Sequence, residues 1–213
     1  MGRLNQGPNG PFSGKTGSVI GSSWKGIFYI KSLQKKSLKP RSPRQIEYQD
    51  RFAFAVKFLH PIKRLLNMGF SKVNPKGATG YNMALSYILQ NSIKGSHPNF
   101  EIDYPAVRFT QGKLHLPQVV NIERIGLSIK VTWSTETDNY GSFTDDDMML
   151  LTYQAETGFF IEYTSDSMRK DGKTEIKIAP EDNDINFHVF LYLIKRDGKI
   201  WSNSMYLGHA LWG

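Results

Sequence analysis

The sequence predicts an α+β protein in which a glycine-rich N-terminal β-meander and a helical hairpin precede a C-terminal seven-strand β-sandwich. Three observations carry that reading. Apolar residues recur at helical spacing between residues 43 and 94, they recur at strand spacing from Asn99 onward, and six glycines punctuate residues 7–26. Charge changes sign along the same axis. Residues 1–70 carry 13 Lys and Arg against 2 Asp and Glu, residues 71–117 carry 5 against 2, and residues 118–213 carry 9 against 15. Period and charge both turn over near Pro117, which predicts a basic N-terminal region over 1–117 and an acidic sandwich over 118–213.

The meander covers Gly10 to Lys31, GPFSGKTGSVIGSSWKGIFYIK. Gly7, Gly10, Gly14, Gly17, Gly21 and Gly26 permit tight corners. From Ser22 on, alternation places Trp24, Gly26, Phe28 and Ile30 on one face and Lys25, Ile27, Tyr29 and Lys31 on the other, the period of a half-buried strand. No core precedes this segment, so its aromatic face is expected to be buried on a later part of the chain or on another subunit. Phe12, Lys15, Trp24, Lys25, Phe28 and Tyr29 are the candidate interface residues. Gly14-Lys15-Thr16 also matches the second half of a phosphate-binding P-loop. Asn9 occupies the place of that motif's first glycine, no strand leads into it and no helix former follows, so no nucleotide cofactor is expected.

Ser32 to Arg41 reads as a lysine-rich solvated linker. Ser42-Pro43-Arg44-Gln45 then has the form of a helix start, with Ser as N-cap, Pro in the first turn and Gln completing a capping box. The helix should run to about Leu59, with Tyr48, Phe52, Ala55 and Leu59 on one stripe and Ile46, Ala53 and Val56 beside it. Pro61 interrupts it, and a further turn or two ends near Gly69, giving a helical region over about 43–67. Lys72 to Gly80 is a turn-rich connector. A second helix over about 81–94, with Ala84, Leu85, Ile88 and Leu89 inward, should pack on the first. Tyr81 and Tyr87 are expected to belong to the core rather than to stack on a ligand.

Val107, Phe109, Leu114 and Leu116 flank Gln111-Gly112 and predict a hairpin over 106–116. Seven strands follow, at about 119–125, 127–134, 148–154, 158–164, 174–179, 187–195 and 199–207. Leu127, Ile129, Val131 and Trp133 alternate, as do Phe187, Val189, Leu191 and Leu193, and Asp171-Gly172 and Asp197-Gly198 mark turns. Strand number, length and a tryptophan on the second strand resemble a fibronectin type III or immunoglobulin-like module. That resemblance implies adhesion, spacing or assembly more readily than catalysis.

The block Gly10-x-Phe12-Ser13-Gly14-Lys15-x-Gly17-x-Val19-x-Gly21-Ser22-Ser23-Trp24-Lys25-Gly26 resembles the N-terminal motif of an uncharacterised bacterial family, a domain of unknown function found mainly in Bacteroidota. The likeness continues through Asn67-x-Gly69-Phe70, Ile102-Asp103-Tyr104 and the ending Ser202-Asn203-Ser204-x-Tyr206-Leu207-Gly208. Phe28 stands where the family pattern expects proline. The resemblance implies no catalytic residues.

Composition narrows the chemistry. With no cysteine, disulfides, thiol catalysis and thiolate metal sites are excluded. No apolar run suggests a secretory signal or a membrane span, so a cytoplasmic location or a signal-peptide-independent route is expected. His60, His97, His115, His188 and His209 lack zinc-ligand spacing, and Asp138 with Asp145-Asp146-Asp147 reads as a solvated turn rather than a calcium site. A triad of His188 with Ser202 or Ser204 lacks any nucleophile-elbow motif. No catalytic residue, cofactor or metal is therefore assigned, and an enzyme is not expected. The leading reading is a structural subunit that self-associates or docks on a larger filament- or virion-like particle through its N-terminal arm. Two alternatives are a nucleic-acid-binding protein using the basic half, and a carbohydrate or surface-ligand module using the sandwich loops.

Overall fold

A computed structural model describes residues 3–4, 10–35, 39–71, 77–118, 120–136, 144–178 and 186–210. The chain divides into two compact units, residues 1–43 and 44–213.

The first unit is an antiparallel meander whose four strands lie in sequence order: β1 (Arg3–Leu4), β2 (Phe12–Thr16), β3 (Val19–Trp24) and β4 (Ile27–Ser32). The expected strand running unbroken from Ser22 to Lys31 is instead a hairpin. Lys25 and Gly26 have φ of 48° and 81°, and Trp24 pairs with Ile27. Two consecutive positive φ values are what a type I′ turn demands, and glycine meets that demand without strain. Because paired residues across an antiparallel ladder share a face, the turn regroups the aromatics. Trp24 lies with Ile27 and Tyr29, whereas Phe28 lies with Ile30 on the opposite face.

The second unit begins with α1 (Pro43–Leu59), a 3-10 turn at His60–Ile62 and α2 (Lys63–Gly69), so Pro61 breaks the helix where the sequence says it should. Only the C-terminal half of α1 is buried, at Ala55, Phe58 and Leu59; Ile46, Tyr48 and Phe52 of the expected apolar stripe are exposed. Of the connector, residues 72–76 lie outside the described residues, as do 36–38 of the linker. α3 (Gly80–Asn91) starts at Thr79, whose hydroxyl accepts from the Asn82 amide. Its first turn is fastened to α2 by the Asn67 side chain, which accepts from the Tyr81 amide at 2.9 Å. α3 ends three residues before the predicted Lys94, and the chain turns into the hairpin of β5 (Ile93–Ser96) and β6 (Asn99–Ile102).

The hairpin predicted at 106–116 does not form. Backbone groups of that segment pair elsewhere: the Gln111 amide donates to Gly69, the Leu114 amide to Trp201, and the Thr110 hydroxyl to Ser202. Gly112 passes so close to the Trp201 carbonyl that an added Cβ would stand 1.9 Å from its oxygen. Its glycine serves a backbone crossing, and Gln111-Gly112 resembles a hairpin turn only in composition.

Seven strands follow: β7 (Val120–Ile125), β8 (Ser128–Trp133), β9 (Asp147–Gln154), β10 (Phe160–Met168), β11 (Lys173–Lys177), β12 (Phe187–Ile194) and β13 (Met205–Ala210). They form a three-stranded sheet ordered β11-β8-β7 and a four-stranded sheet ordered β10-β9-β12-β13, antiparallel throughout. Ile129, Val131 and Trp133 from one sheet meet Leu150, Val189, Leu191 and Leu193 from the other in a shared core. The remaining side chains of the larger sheet, Met149, Leu151, Phe190 and Tyr192, pack against Phe58, Leu66, Ile88 and Phe109 of the helical layer. The unit therefore has three layers, and the expected boundary at Pro117 cuts through a continuous core rather than between two domains.

Asp146, read from the sequence as part of a solvated turn, is fully buried. Arg169 lies 3.5 Å from it and is equally buried; its guanidinium also donates to the His115 carbonyl, and its own carbonyl accepts from the Trp133 indole at 2.7 Å. These contacts close the end of the sandwich that holds the turn before β9 and the 3-10 turn at Arg169–Asp171.

Two outcomes follow from this packing. Residues 44–213 expressed alone should unfold cooperatively, whereas 118–213 alone should bind a hydrophobic dye and lack a sharp thermal transition, since Met149, Leu151, Phe190 and Tyr192 lose their cover. Asp146→Ala should lower stability by about 3–5 kcal/mol in urea titrations, because it strands a buried guanidinium; an effect below about 1 kcal/mol would show the pair to be solvated.

Candidate functional site

The six interface candidates all lie in the meander, and its register sorts them. Lys15 pairs with Ile20 and Ile20 with Lys31, Ser22 pairs with Tyr29, and Trp24 with Ile27. These rows make one face: two lysines flanking an isoleucine, then tyrosine, then tryptophan at the turn. Lys25, in the turn, holds its ammonium 5.1 Å from the Trp24 ring centre. The opposite face carries Phe12, Val19, Phe28 and Ile30 and no charged residue among its described positions. Phe12 is half-buried, its ring lying over Gly21, and a shallow pocket of about 220 Å³ separates it from Phe28 and Ile30. The structure thus joins Lys15, Lys25, Trp24 and Tyr29, and sets Phe12 and Phe28 apart from them.

Ile20, Ile27 and Lys31 belong to the lysine-bearing face and Ile30 to the opposite one, and none of the four was among the candidates. The signal for them was Lys25-Gly26 read as a two-residue turn. Gly14-Lys15-Thr16 lies within strand β2 and leads into a second strand, whereas a P-loop opens a helix. β4 stands last in its sheet. Its side chains are exposed on both faces, with Ile27 63%, Phe28 52%, Tyr29 43% and Ile30 64% accessible. In a two-residue hairpin the residues flanking the turn are hydrogen-bonded to each other, so Ile27, Tyr29 and Lys31 direct their backbone groups to β3 while Phe28, Ile30 and Ser32 direct theirs outward. The Leu33 amide, next inward in this alternation, donates to Ser18 at 2.9 Å.

Charge follows the same division. Arg3, Lys15, Lys25, Lys31, Lys35, Lys36, Lys39 and Arg41 are the only ionic side chains in residues 1–43, so the whole +8 of the chain resides there and residues 44–213 hold 19 of each sign.

In the second unit the remaining candidates make contacts within the fold. The Ser202 hydroxyl accepts from the Leu193 amide and donates to the Asn203 carbonyl; the Ser204 hydroxyl accepts from Phe109. His188 is 8% exposed, stacked between Tyr104 at 3.5 Å and His209 at 4.5 Å, with Nδ1 3.0 Å from the Tyr206 hydroxyl. Burial, aided by His209, pushes its pKa down to about 4, and burial raises Tyr104 to about 12. Tyr81 and Tyr87 pack on the core, under Lys63 and Arg108 respectively. Asp145 pairs with Arg196, and Asp138 lies outside the described residues. Among the described residues no group of three metal-ligating side chains comes together, and no helix is long and apolar enough to cross a membrane. A groove of about 690 Å³ runs between α1 and the sheet, walled by Phe54, Phe58, Phe100, Tyr104 and Tyr153 with Lys57, Glu101 and Glu156.

Fold and surface together define a mixed α+β, mostly β protein: a small cationic sheet with bare aromatics, and a helix-clad pair of sheets. The chain belongs to a family of unknown function, DUF6266, whose profile matches residues 11–208. No curated protein matches it. Among solved structures, the FN1–FN3 domains of chicken CNTN1 match at 10% identity with a TM-score of 0.30, over 48% of this chain and 34% of that one. The chain thus spans about a third of the length of that structure.

The His188 column generates a pH dependence. A histidine held neutral in the fold binds its proton more weakly than in the unfolded chain, so its contribution is present above the ordinary pKa of about 6.5 and is lost as pH falls toward 4. Thermal melts should show the melting temperature of the protein dropping across that window, with a smaller drop in His188→Gln. Parallel profiles for the two would show that the imidazole is solvated.

Proposed function

We propose that this protein is a non-enzymatic structural subunit that self-associates, or docks on a larger particle, by strand addition at β4. One observation carries the reading: β4 is an edge strand with outward-facing backbone groups at Phe28, Ile30 and Ser32 and four consecutive exposed apolar residues. Soluble proteins ordinarily blunt such an edge with charge, proline or a bulge, because unpaired backbone groups template pairing with another chain. Here the only charge on the strand is Lys31, whose backbone faces inward. Main-chain bonds would supply the affinity, and Phe28 and Ile30 the anchors. Burying two such side chains contributes roughly 3–6 kcal/mol.

The same reading takes the seven-strand body as a fibronectin-III-like spacer. What supports it is the strand order, with the first, second and fifth strands in one sheet and the other four in the second. The uncharged apolar face of the meander favours a protein partner at this edge over a sugar.

Ile30→Pro is the discriminating substitution. It removes an outward N–H without touching the β3 ladder, and proline is tolerated at such positions. Sedimentation should show concentration-dependent oligomers for the protein and monomers with an unchanged circular dichroism spectrum for Ile30→Pro. A protein that sediments as a monomer at every concentration would overturn strand addition.

A further inference from the structure

We infer that the lysine-bearing face of the meander is a binding site for single-stranded nucleic acid. This does not rest on strand addition, which uses the backbone edge and the opposite face. The register places Lys15 and Lys31 in one row, Tyr29 in the next and Trp24 in the one after. Rows of the same face repeat about every 7 Å along a strand, close to the spacing of successive nucleotides in an extended, unstacked strand. A phosphate therefore meets the lysine row while the bases that follow lie over Tyr29 and Trp24. Base–aromatic stacking is indifferent to sequence, since every base has a π-face.

Three features of the surface favour this occupant. The rings are open to solvent, Trp24 at 48% and Tyr29 at 43%, on the face that also holds the cations. Lys25 rests against the Trp24 ring, so a base stacked there lies beside a positive charge that offsets its phosphate. Residues 1–43 contain no carboxylate to repel a polyanion. Duplex nucleic acid meets the charge but buries its bases, and a sulfated polysaccharide meets the charge but offers no ring to stack. The two aromatics therefore select a single strand.

The test uses the full-length protein and a fluorescently labelled oligothymidylate, with a duplex of equal length and heparin as competitors. Oligothymidylate should bind more tightly than either competitor, quench tryptophan fluorescence, and weaken with salt at a logarithmic slope of about two, for three lysines on a single strand. Trp24→Ala should weaken binding about tenfold and Trp24→Phe should restore most of it, and Lys15→Gln with Lys31→Gln should flatten the salt slope. The inference is overturned if no binding occurs at low salt. It is equally overturned if heparin or duplex competes as well as a single strand, or if Trp24→Ala binds normally, since the arm would then be an unselective polycation.

Discussion

β12 is the element on which the body depends, because it is buried on both faces. Phe187, Val189, Leu191 and Leu193 point into the space between the sheets, and Phe190, Tyr192 and Ile194 point into the helical layer. A strand in that position can accept almost no polar side chain without a partner. The two it carries on its outer face obey the rule: Tyr192, whose pKa is raised by burial and by this bond, donates its hydroxyl to Glu162, and His188 is enclosed by Tyr104, Tyr206 and His209. Tyr206, on the neighbouring β13, holds its hydroxyl 3.0 Å from His188 Nδ1.

Several buried polar groups of the body tie neighbouring elements together. Residues 107–114 cross between the helices and the sheet, and the Ser202-Asn203-Ser204 turn satisfies them: Ser204 accepts from Phe109, Asn203 from Gly112, and the Ser202 carbonyl from Thr110. The buried Arg169–Asp146 pair does the same for the loop end of the sandwich. Such a pair contributes less to stability than its geometry suggests, because both ions lose water, yet it penalises any arrangement that separates them. The meander is the opposite case. Four short strands alone cannot enclose a core, so its apolar residues stay in water and remain available for contacts outside the unit.

Much of this was legible before any coordinates. The helix after Ser42, the break at Pro61, six of the seven strands and the meander follow from spacing and from the residues that interrupt it. The last strand, expected at 199–207, runs over Met205–Ala210, because Trp201 to Ser204 bond to residues 109–114 and to β12 instead. The doubly buried β12 was legible too, in the uninterrupted run Phe187 to Ile194, although reading only every second residue shows half of its burial. Trp24 and Phe28 were assigned to one face because alternation continues unbroken through Lys25-Gly26, and only a positive φ at both residues reveals the turn. The false hairpin at 106–116 had the right residues, but the alternative partners at Gly69 and Trp201 to Ser204 are remote in sequence.

By itself, the sequence determined the local elements, the absence of thiol chemistry and the location of the charge, since each depends on residues a few positions apart. Tertiary structure alone decided that the helices share a core with the larger sheet and that Asp146 is buried rather than solvated. The physical reason is the same in each instance. Burial and facing are set by what lies across the fold, at separations of tens of residues, and periodicity along the chain states which side is apolar without stating what covers it.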